Sequence, residues 1–348
     1  MKKNLTIVIP TYNMEKYLDT CLTSLILDDK KIMMKLEVLV VIDGANDRSS
    51  EIAHAYQNLY PNTFRVIDKE NGNYGSCVNR GLKEAEGKYI KILDADDSFN
   101  TKGFAKFLQF LESANYDLIL TDFDIVNDKG DVTANKKRIF KPGKYKFSDL
   151  SDDFIKNSLS MHEVTYKTDN IRQINYVQTE GISYTDQEWI FTPMITVNTI
   201  YYLDEVVYKY LLGRDGQTVD PKVQSKAIPQ KFNTCLNLIN TYSNIRIGRL
   251  YVEYLDYKLS YLLYVVYEYF LVTNITRGGI ELIMQLENAL LQNLPCLYIS
   301  IERFKTKHLK IKFVREWRLK HYESIPISVK FYLLILSLIK RIVLCFRK

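Results

Sequence analysis

The chain has 348 residues, 47% hydrophobic and 25% charged, with 14 Gly and 8 Pro, which excludes a disordered or collagen-like protein and predicts about two globular domains. The net charge of +6 is unevenly placed: residues 302–348 hold 13 Lys/Arg against 3 Asp/Glu, a balance of +10 that leaves −4 for the first 301. That split excludes a nucleic-acid-binding body and points to a surface-seeking C-terminus, because a basic residue near an anionic leaflet gains roughly 1 kcal/mol.

Met1-Lys2-Lys3 runs into the short apolar stretch Leu5–Ile9, too few residues for a signal-peptide core, so a cytoplasmic protein is expected. Short β-branched runs at Leu5–Pro10, Leu36–Asp43, Phe64–Asp68, Tyr89–Asp94 and Asp117–Thr121 predict strands. Helical patterns lie between them at Glu15–Leu27, Ser49–Tyr60, Gly75–Ala85 and Gly103–Ser113, with Ser49 and Ser50 placed to cap the second. Such alternation predicts an α/β fold, a mostly parallel twisted sheet with helices on both faces. A hairpin is expected around Asp128–Asp131, a helix near Thr185–Phe191 and a last strand at Val206–Leu211; Gly213–Pro221 is rich in turn formers. Beyond it the pattern is helical. Tyr251, Tyr254, Tyr257, Tyr261 and Tyr264 recur on one helix face, as an aromatic seam or a sugar-stacking surface. The division is therefore 1–218, a catalytic domain; 219–323, a helical domain; and 324–348, a basic amphipathic tail. The cysteines Cys21, Cys77, Cys235, Cys296 and Cys345 are far apart, which excludes a disulfide framework or a zinc site and predicts buried apolar thiols.

Ligands of parallel sheets bind beyond the carboxyl ends of the strands. Those positions hold Thr11-Tyr12-Asn13, Asp43-Gly44-Ala45-Asn46-Asp47 and Asp94-Ala95-Asp96-Asp97. Three carboxylates in four residues repel one another unless a cation neutralises them, and hard divalent cations are held by carboxylates and substrate phosphates. A metal-diphosphate site is the inference.

With these motifs in order, the chain resembles the family-2 nucleotide-diphospho-sugar glycosyltransferases, which have a GT-A, Rossmann-like nucleotide-sugar-binding fold. Ile7–Asn13 is similar to the family's opening strand and turn, Val40–Asp47 to its second, Asn71–Gly81 to its glycine-rich helix start, Gly87–Asp97 to its Asp-x-Asp segment, and Tyr184–Trp189 to the segment supplying the catalytic base. The resemblance implies that Pro10, Tyr12 and Asp43 meet the nucleotide base, Asp94 the ribose, and Asp96 a Mn²⁺ or Mg²⁺ on the diphosphate. Asn79 and Arg80 would lie beside the nucleotide, with a surface ion pair as the alternative for Arg80. Ile42 and Thr185 stand where the family often has acids, which puts donor-sugar contacts in doubt. Asp186 would be the base of an inverting displacement, supported by a helix N-terminus that keeps it ionised. Trp189 offers a ring for sugar stacking or a core anchor, and His162 an acceptor-side hydrogen bond or a structural role. The loop Gly213–Gln217 either closes over the diphosphate through Arg214 and Gln217 or is a plain linker.

The expected partners are a nucleotide-sugar donor, a glycan or lipid-linked saccharide acceptor and an anionic membrane, with no nucleic acid. A nucleotidyltransferase or a sugar-nucleotide-binding protein is the alternative, but neither needs Tyr184–Trp189; a non-catalytic membrane scaffold would not need the acids. In the tail, the uncharged run Phe331–Ile339 spans about 14 Å as a helix, under half a bilayer core of about 30 Å. An in-plane helix at the inner face of the cell membrane is therefore expected, with docking on the protein's own core or a homodimer partner as the alternative.

Overall fold

The computed structural model describes residues 2–150, 159–182, 185–214, 217, 221–245, 249–320 and 328–335. The chain divides into two units, Met1–Ala227 and Ile228–Lys348.

In the first unit, strands β1 (Leu5–Thr11), β2 (Leu36–Asp43), β3 (Phe64–Lys69) and β4 (Tyr89–Ile92) are interleaved with helices α1 (Leu18–Thr23), α2 (Lys30–Met33), α3 (Ser49–Leu59) and α4 (Asn73–Glu84). Every residue of β1, β2 and β4 is buried, as their unbroken apolar runs require when helices cover both faces. These strands pair parallel in the order β3-β2-β1-β4. The chain thus builds outward from β1 first to one side and then to the other, leaving a crevice beyond the carboxyl ends of β1 and β4.

The other half of the sheet is mixed. Its strands are β5 (Ser98–Phe99), β6 (Leu118–Val126), β7 (Val132–Lys136), β8 (Gly143–Lys146), β9 (Val164–Lys167) and β10 (Thr199–Leu211), with helices α5 (Thr101–Leu111), α6 (Thr168–Gln173) and α7 (Asp186–Trp189). β9 lies antiparallel between β4 and β6, while β6 and β10 are parallel with register shifts between Leu203 and Tyr208. The β6–β7 hairpin turns at Asn127–Asp131, where Asn127 Oδ1 accepts from Lys129 N and Asp131 N and Gly130 takes a φ of +81°.

The predicted helix at Glu15–Leu27 shortens to Leu18–Thr23, because backbone amides of residues 14 and 15 bond to the next loop instead: Met14 N donates to Ser49 Oγ and Glu15 N to Asp47 Oδ2. Ser49 and Ser50 do not cap α3. Arg48 holds the cap position, Ser49 N donates to Asp47 Oδ1 and Ser50 Oγ to Asp68. Cys21, Cys77 and Cys235 are buried as expected, Cys296 is exposed, and Cys345 lies outside the described residues.

The second unit is helical over its described residues, with α8 (Pro221–Asn244) leading into it and α9 (Arg249–Glu268), α10 (Arg277–Asn293), α11 (Pro295–Ser300) and α12 (Phe313–Leu319) following. The tyrosine stripe does not stay on one kind of surface. Tyr254 is buried, Tyr264 packs edge-on against Phe304 and Phe313, and Tyr261 is exposed. A buried ion pair closes this unit: Arg318 grips Glu287 with two hydrogen bonds of 2.8 Å, Tyr267 donates its hydroxyl to Glu287, and Tyr298 lies under the guanidinium at 3.6 Å. Arg318→Ala leaves the Glu287 carboxylate buried without its cation, and the expected cost is about 3–5 kcal/mol, read as a lower urea midpoint; an unchanged midpoint would show the pair to be dispensable. Among the described residues no helix is long and apolar enough to cross a membrane. Most of the predicted tail, residues 324–327 and 336–348 of 324–348, lies outside the described residues, and 328–335 are helical.

Candidate active site

The crevice at the switch point gathers the three predicted strand-end clusters. Asn13, with a φ of +54°, accepts from Asn46 N through Oδ1 at 2.8 Å, lacing the loop after β1 to the loop after β2. Burial pushes the Asp47 carboxyl up, but the bonds it accepts from Ser49 and Glu15 outweigh this and hold it below the usual range. Pro10 is buried within β1 opposite Val41, and Tyr12 presents an exposed ring, 46% accessible, on the rim.

Asp43 is buried at the end of β2, where its Oδ1 accepts from Lys69 Nζ at 2.5 Å and from Gly72 N at 2.9 Å. The turn that follows needs a glycine: Gly44 has a φ of +67°, and a Cβ there would sit 3.0 Å from Asn71 N.

Helix α4 starts at Asn73, two residues ahead of the predicted Gly75, and that glycine serves packing. A Cβ on Gly75 would lie 1.9 Å from the Thr179 carbonyl oxygen. Asn79 is committed to the same segment, donating to Gln178 O and Glu180 Oε1 and accepting from Gln178 N, each at 2.8 Å. It is thus a strut for residues 178–180, while Arg80 makes the surface alternative, an i,i+4 pair with Glu84 at 2.9 Å. Gly75→Ala is expected to push residues 178–180 off α4, lower the melting temperature and reduce turnover together; an unperturbed melt with full activity would show that the segment yields without cost.

The three carboxylates after β4 have separate partners. Asp94 Oδ1 accepts from the Tyr74 hydroxyl at 2.7 Å. Asp96 Oδ2 faces Arg214 Nε at 2.5 Å. Asp97 accepts from the Tyr208 hydroxyl at 2.6 Å and from Leu211 N at 2.7 Å, tying the cluster to β10. Burial, reinforced by the charge of Asp96, raises the Asp94 pKa to about 7, and burial with the charges of Asp96 and Asp94 raises Asp97 as well. His162 is packed among Phe123, Tyr208 and Tyr210, with Nδ1 at 2.6 Å from Ser160 Oγ. Burial, aided by the charge of Lys91, lowers its pKa to about 3, so the ring is neutral. Lys91 lies inside the sheet, donates to His162 O and Val164 O, and is itself pushed by burial to about 7.

Asp94, Asp97 and His162 each offer a ligand atom within 4.8 Å of the others. Two carboxylates and a neutral imidazole suit a divalent cation. This grouping differs from the prediction of Asp96 alone, and it arises because β9 is preceded by the His162 turn and packs beside β4.

Asp186 opens α7, and Gln187 Nε2 donates to its Oδ2 at 2.8 Å. Its charge acts on Asp94, Tyr74 and Tyr210, raising the pKa of each. The helix it begins has four residues, so the dipole support expected from the sequence is slight. The segment is held from behind: Gln178 Nε2 donates to Thr185 Oγ1, and Glu188 accepts from Thr179 N and Thr179 Oγ1, all at 2.7 Å. Thr185, which stands where the family resemblance led an acid to be expected, thus clamps the loop.

Two predicted contacts are corrected. Trp189 is fully buried between Tyr166 and Tyr176 and is the core anchor, with no face for a sugar. Gln217 is buried and spends its amide closing the loop, accepting from Gly213 N and donating to Leu211 O. Arg214 and Gly213 instead line a pocket of about 520 Å³ with Asn13, Lys16, Tyr17 and Asp128. Tyr74 and Tyr208, which position Asp94 and Asp97, were missed. Tyr74 stands inside the Asn71–Gly81 motif, and the alternation of Tyr208 and Tyr210 on the last strand is the signal that both face one rim.

The Glycosyl transferase family 2 model matches residues 6–172. The chain is 27% identical to the uncharacterised glycosyltransferase MG025 of Mycoplasma genitalium over 237 residues, 67% of this chain and 75% of that protein. It is also 27% identical to the poly(ribitol-phosphate) beta-N-acetylglucosaminyltransferase TarS of Staphylococcus aureus over 235 residues, 67% of this chain but only 39% of TarS. The crystal structure of S. aureus TarS 1–349 in complex with UDP-GlcNAc shares the fold, with a TM-score of 0.66 at 22% identity over 86% of this chain and 85% of that one. With the strand-end clusters at its switch point and this GT-A architecture, residues 6–172 of the chain are a match to glycosyl transferase family 2.

Proposed function

We propose that the enzyme transfers a sugar from a UDP-linked donor, with inversion, to a hydroxyl of a cell-surface polymer or a lipid-linked glycan at the cytoplasmic face of the membrane. The observation that carries the reading is that the charge of Asp186 acts on Asp94, which stands beside Asp96 and Asp97 just after β4. UDP-GlcNAc in the TarS complex and the poly(ribitol-phosphate) acceptor in the TarS name support a UDP-sugar and a phosphodiester-linked polymer as substrate classes.

The exposed Tyr12 ring takes the face of the base and Asp43 accepts its ring N–H, a pairing that suits uracil. Asp94, oriented by Tyr74, accepts from the ribose. Asp186 accepts the proton of the acceptor hydroxyl as that oxygen attacks the anomeric carbon. Asp94, Asp96, Asp97 and His162 are the residues that would hold a Mn²⁺ or Mg²⁺, which supplies neutralising charge to the departing diphosphate when bound. Arg214 adds a second positive charge on the pocket wall. The basic tail, +10 over residues 302–348, is proposed to hold the enzyme at an anionic membrane, where a lipid-linked acceptor would be found.

The reading is tested with a panel of UDP-sugars, with and without Mn²⁺, scored by release of UDP and by the anomeric configuration of the product. Acceptor-dependent release that is lost in EDTA is expected. Binding of UDP-sugar with no release under any acceptor would leave a sugar-nucleotide-binding protein.

A further inference from the structure

Arg214 occupies an unexpected place. Its guanidinium was anticipated against a diphosphate, yet its Nε stands 2.5 Å from Asp96 Oδ2, with both side chains largely withdrawn from solvent, 16% and 11% accessible. The other face of the guanidinium lies 5.4 Å from the Tyr17 ring centre, on the wall of the pocket lined by Asn13, Lys16 and Asp128. Asp94 lies within Coulombic reach of Asp96 and Asp186, and Asp97 within reach of Asp94 and Asp96, and a cation beside such a cluster of buried carboxylates relieves its repulsion. Lys91 is turned away from them, toward the carbonyls of His162 and Val164.

Resting on the glycosyltransferase reading above, we propose that Arg214 is an internal counter-cation. It neutralises Asp96 while the site is empty and exchanges that carboxylate for the donor's diphosphate when a divalent cation enters the cluster. The guanidinium held on Asp96 and a divalent cation entering the same cluster are like charges, and their repulsion sets one against the other. In the empty enzyme, Arg214 and the metal therefore compete. With a nucleoside diphosphate bound, the released guanidinium gains an anionic partner, and the competition becomes cooperation. Metal and nucleotide each strengthen the other's binding, and by linkage the coupling is equal in both directions. Arg214 is on this account a positioning residue as well as a diphosphate ligand, because it makes metal capture conditional on the donor.

The test measures binding rather than turnover. Mn²⁺ affinity is read by electron paramagnetic resonance on the full-length protein, with and without saturating UDP, for the wild type, Arg214→Gln and Arg214→Lys. In the wild type, UDP is expected to tighten Mn²⁺ by tenfold or more. Arg214→Gln is expected to bind Mn²⁺ about tenfold more tightly than the wild type in the absence of UDP and to lose most of the UDP effect. Arg214→Lys, which keeps the charge but not the fork, should fall between them. Thermal melts check that each variant is folded, and Arg214→Lys carries the comparison if Arg214→Gln is not. If the wild type binds Mn²⁺ with UDP but removal of the guanidinium leaves the UDP-free affinity unchanged or weaker, the counter-cation proposal is overturned while the metal-dependent reading stands. If no form binds Mn²⁺ even with UDP, both fall together.

Discussion

Asp186→Asn is expected to lower kcat by about 10²–10⁴ while leaving UDP-sugar affinity nearly unchanged. The amide keeps the shape of the side chain and still meets Gln187, whose Nε2 donates to Oδ2 in the wild type at 2.8 Å, but it cannot accept a proton at neutral pH. The surrounding frame does not depend on this charge: Thr185, Gln178, Thr179 and Glu188 hold the segment through bonds in which Asp186 takes no part. A loss confined to kcat would identify the proton acceptor. A collapse of donor affinity with turnover largely kept would instead make Asp186 a donor ligand.

Asp96→Asn is expected to bring turnover down by at least about 10²-fold and to weaken Mn²⁺ binding in the presence of UDP, because it removes one of the charges that answer the cation beside the diphosphate. It also removes the carboxylate that Arg214 meets at 2.5 Å, and with it a competitor of the diphosphate for the guanidinium. Tighter binding of UDP alone, in the absence of metal, is therefore expected alongside the loss of turnover. Persistence of full activity for this variant in EDTA would remove the metal from the mechanism. Asp97→Asn offers the contrast, since Asp97 is held by Tyr208 and Leu211 N and its loss should register in stability as well as in activity.

Much of the catalytic half was legible in the sequence because its signals are local. Burial on both faces makes β1 and β2 unbroken apolar runs, and β2 is observed over the predicted residues Leu36–Asp43. The polar strand ends betrayed the crevice for the same reason: a plain turn has no need of three carboxylates in four residues. Where the expectation strayed, a distant partner decided. Residues 14–17 carry a helical pattern, yet Asp47 and Ser49, more than 30 positions away, take the amides of residues 14 and 15. The strands β8 and β9 have only four residues each and too little alternation to be read alone; neighbours in the sheet supply their hydrogen bonds.

The sequence by itself determined the alternation of strands and helices over β1–β4 and the carboxylates that stand together just after β4, since each depends on residue types set within a few positions of one another. Only the tertiary structure decided what those residues touch. Arg214 reaches Asp96 across 118 positions and Tyr208 reaches Asp97 across 111, while Asn79 pins Gln178 across 99. Trp189 turned inward to Tyr166 and Tyr176 because the α7 turn packs against the buried face of β9. Hydropathy and spacing report the environment a residue prefers, and a side chain with both an apolar body and a polar edge satisfies two environments equally well. Choosing between them takes the long-range contacts that exist only once the chain has folded.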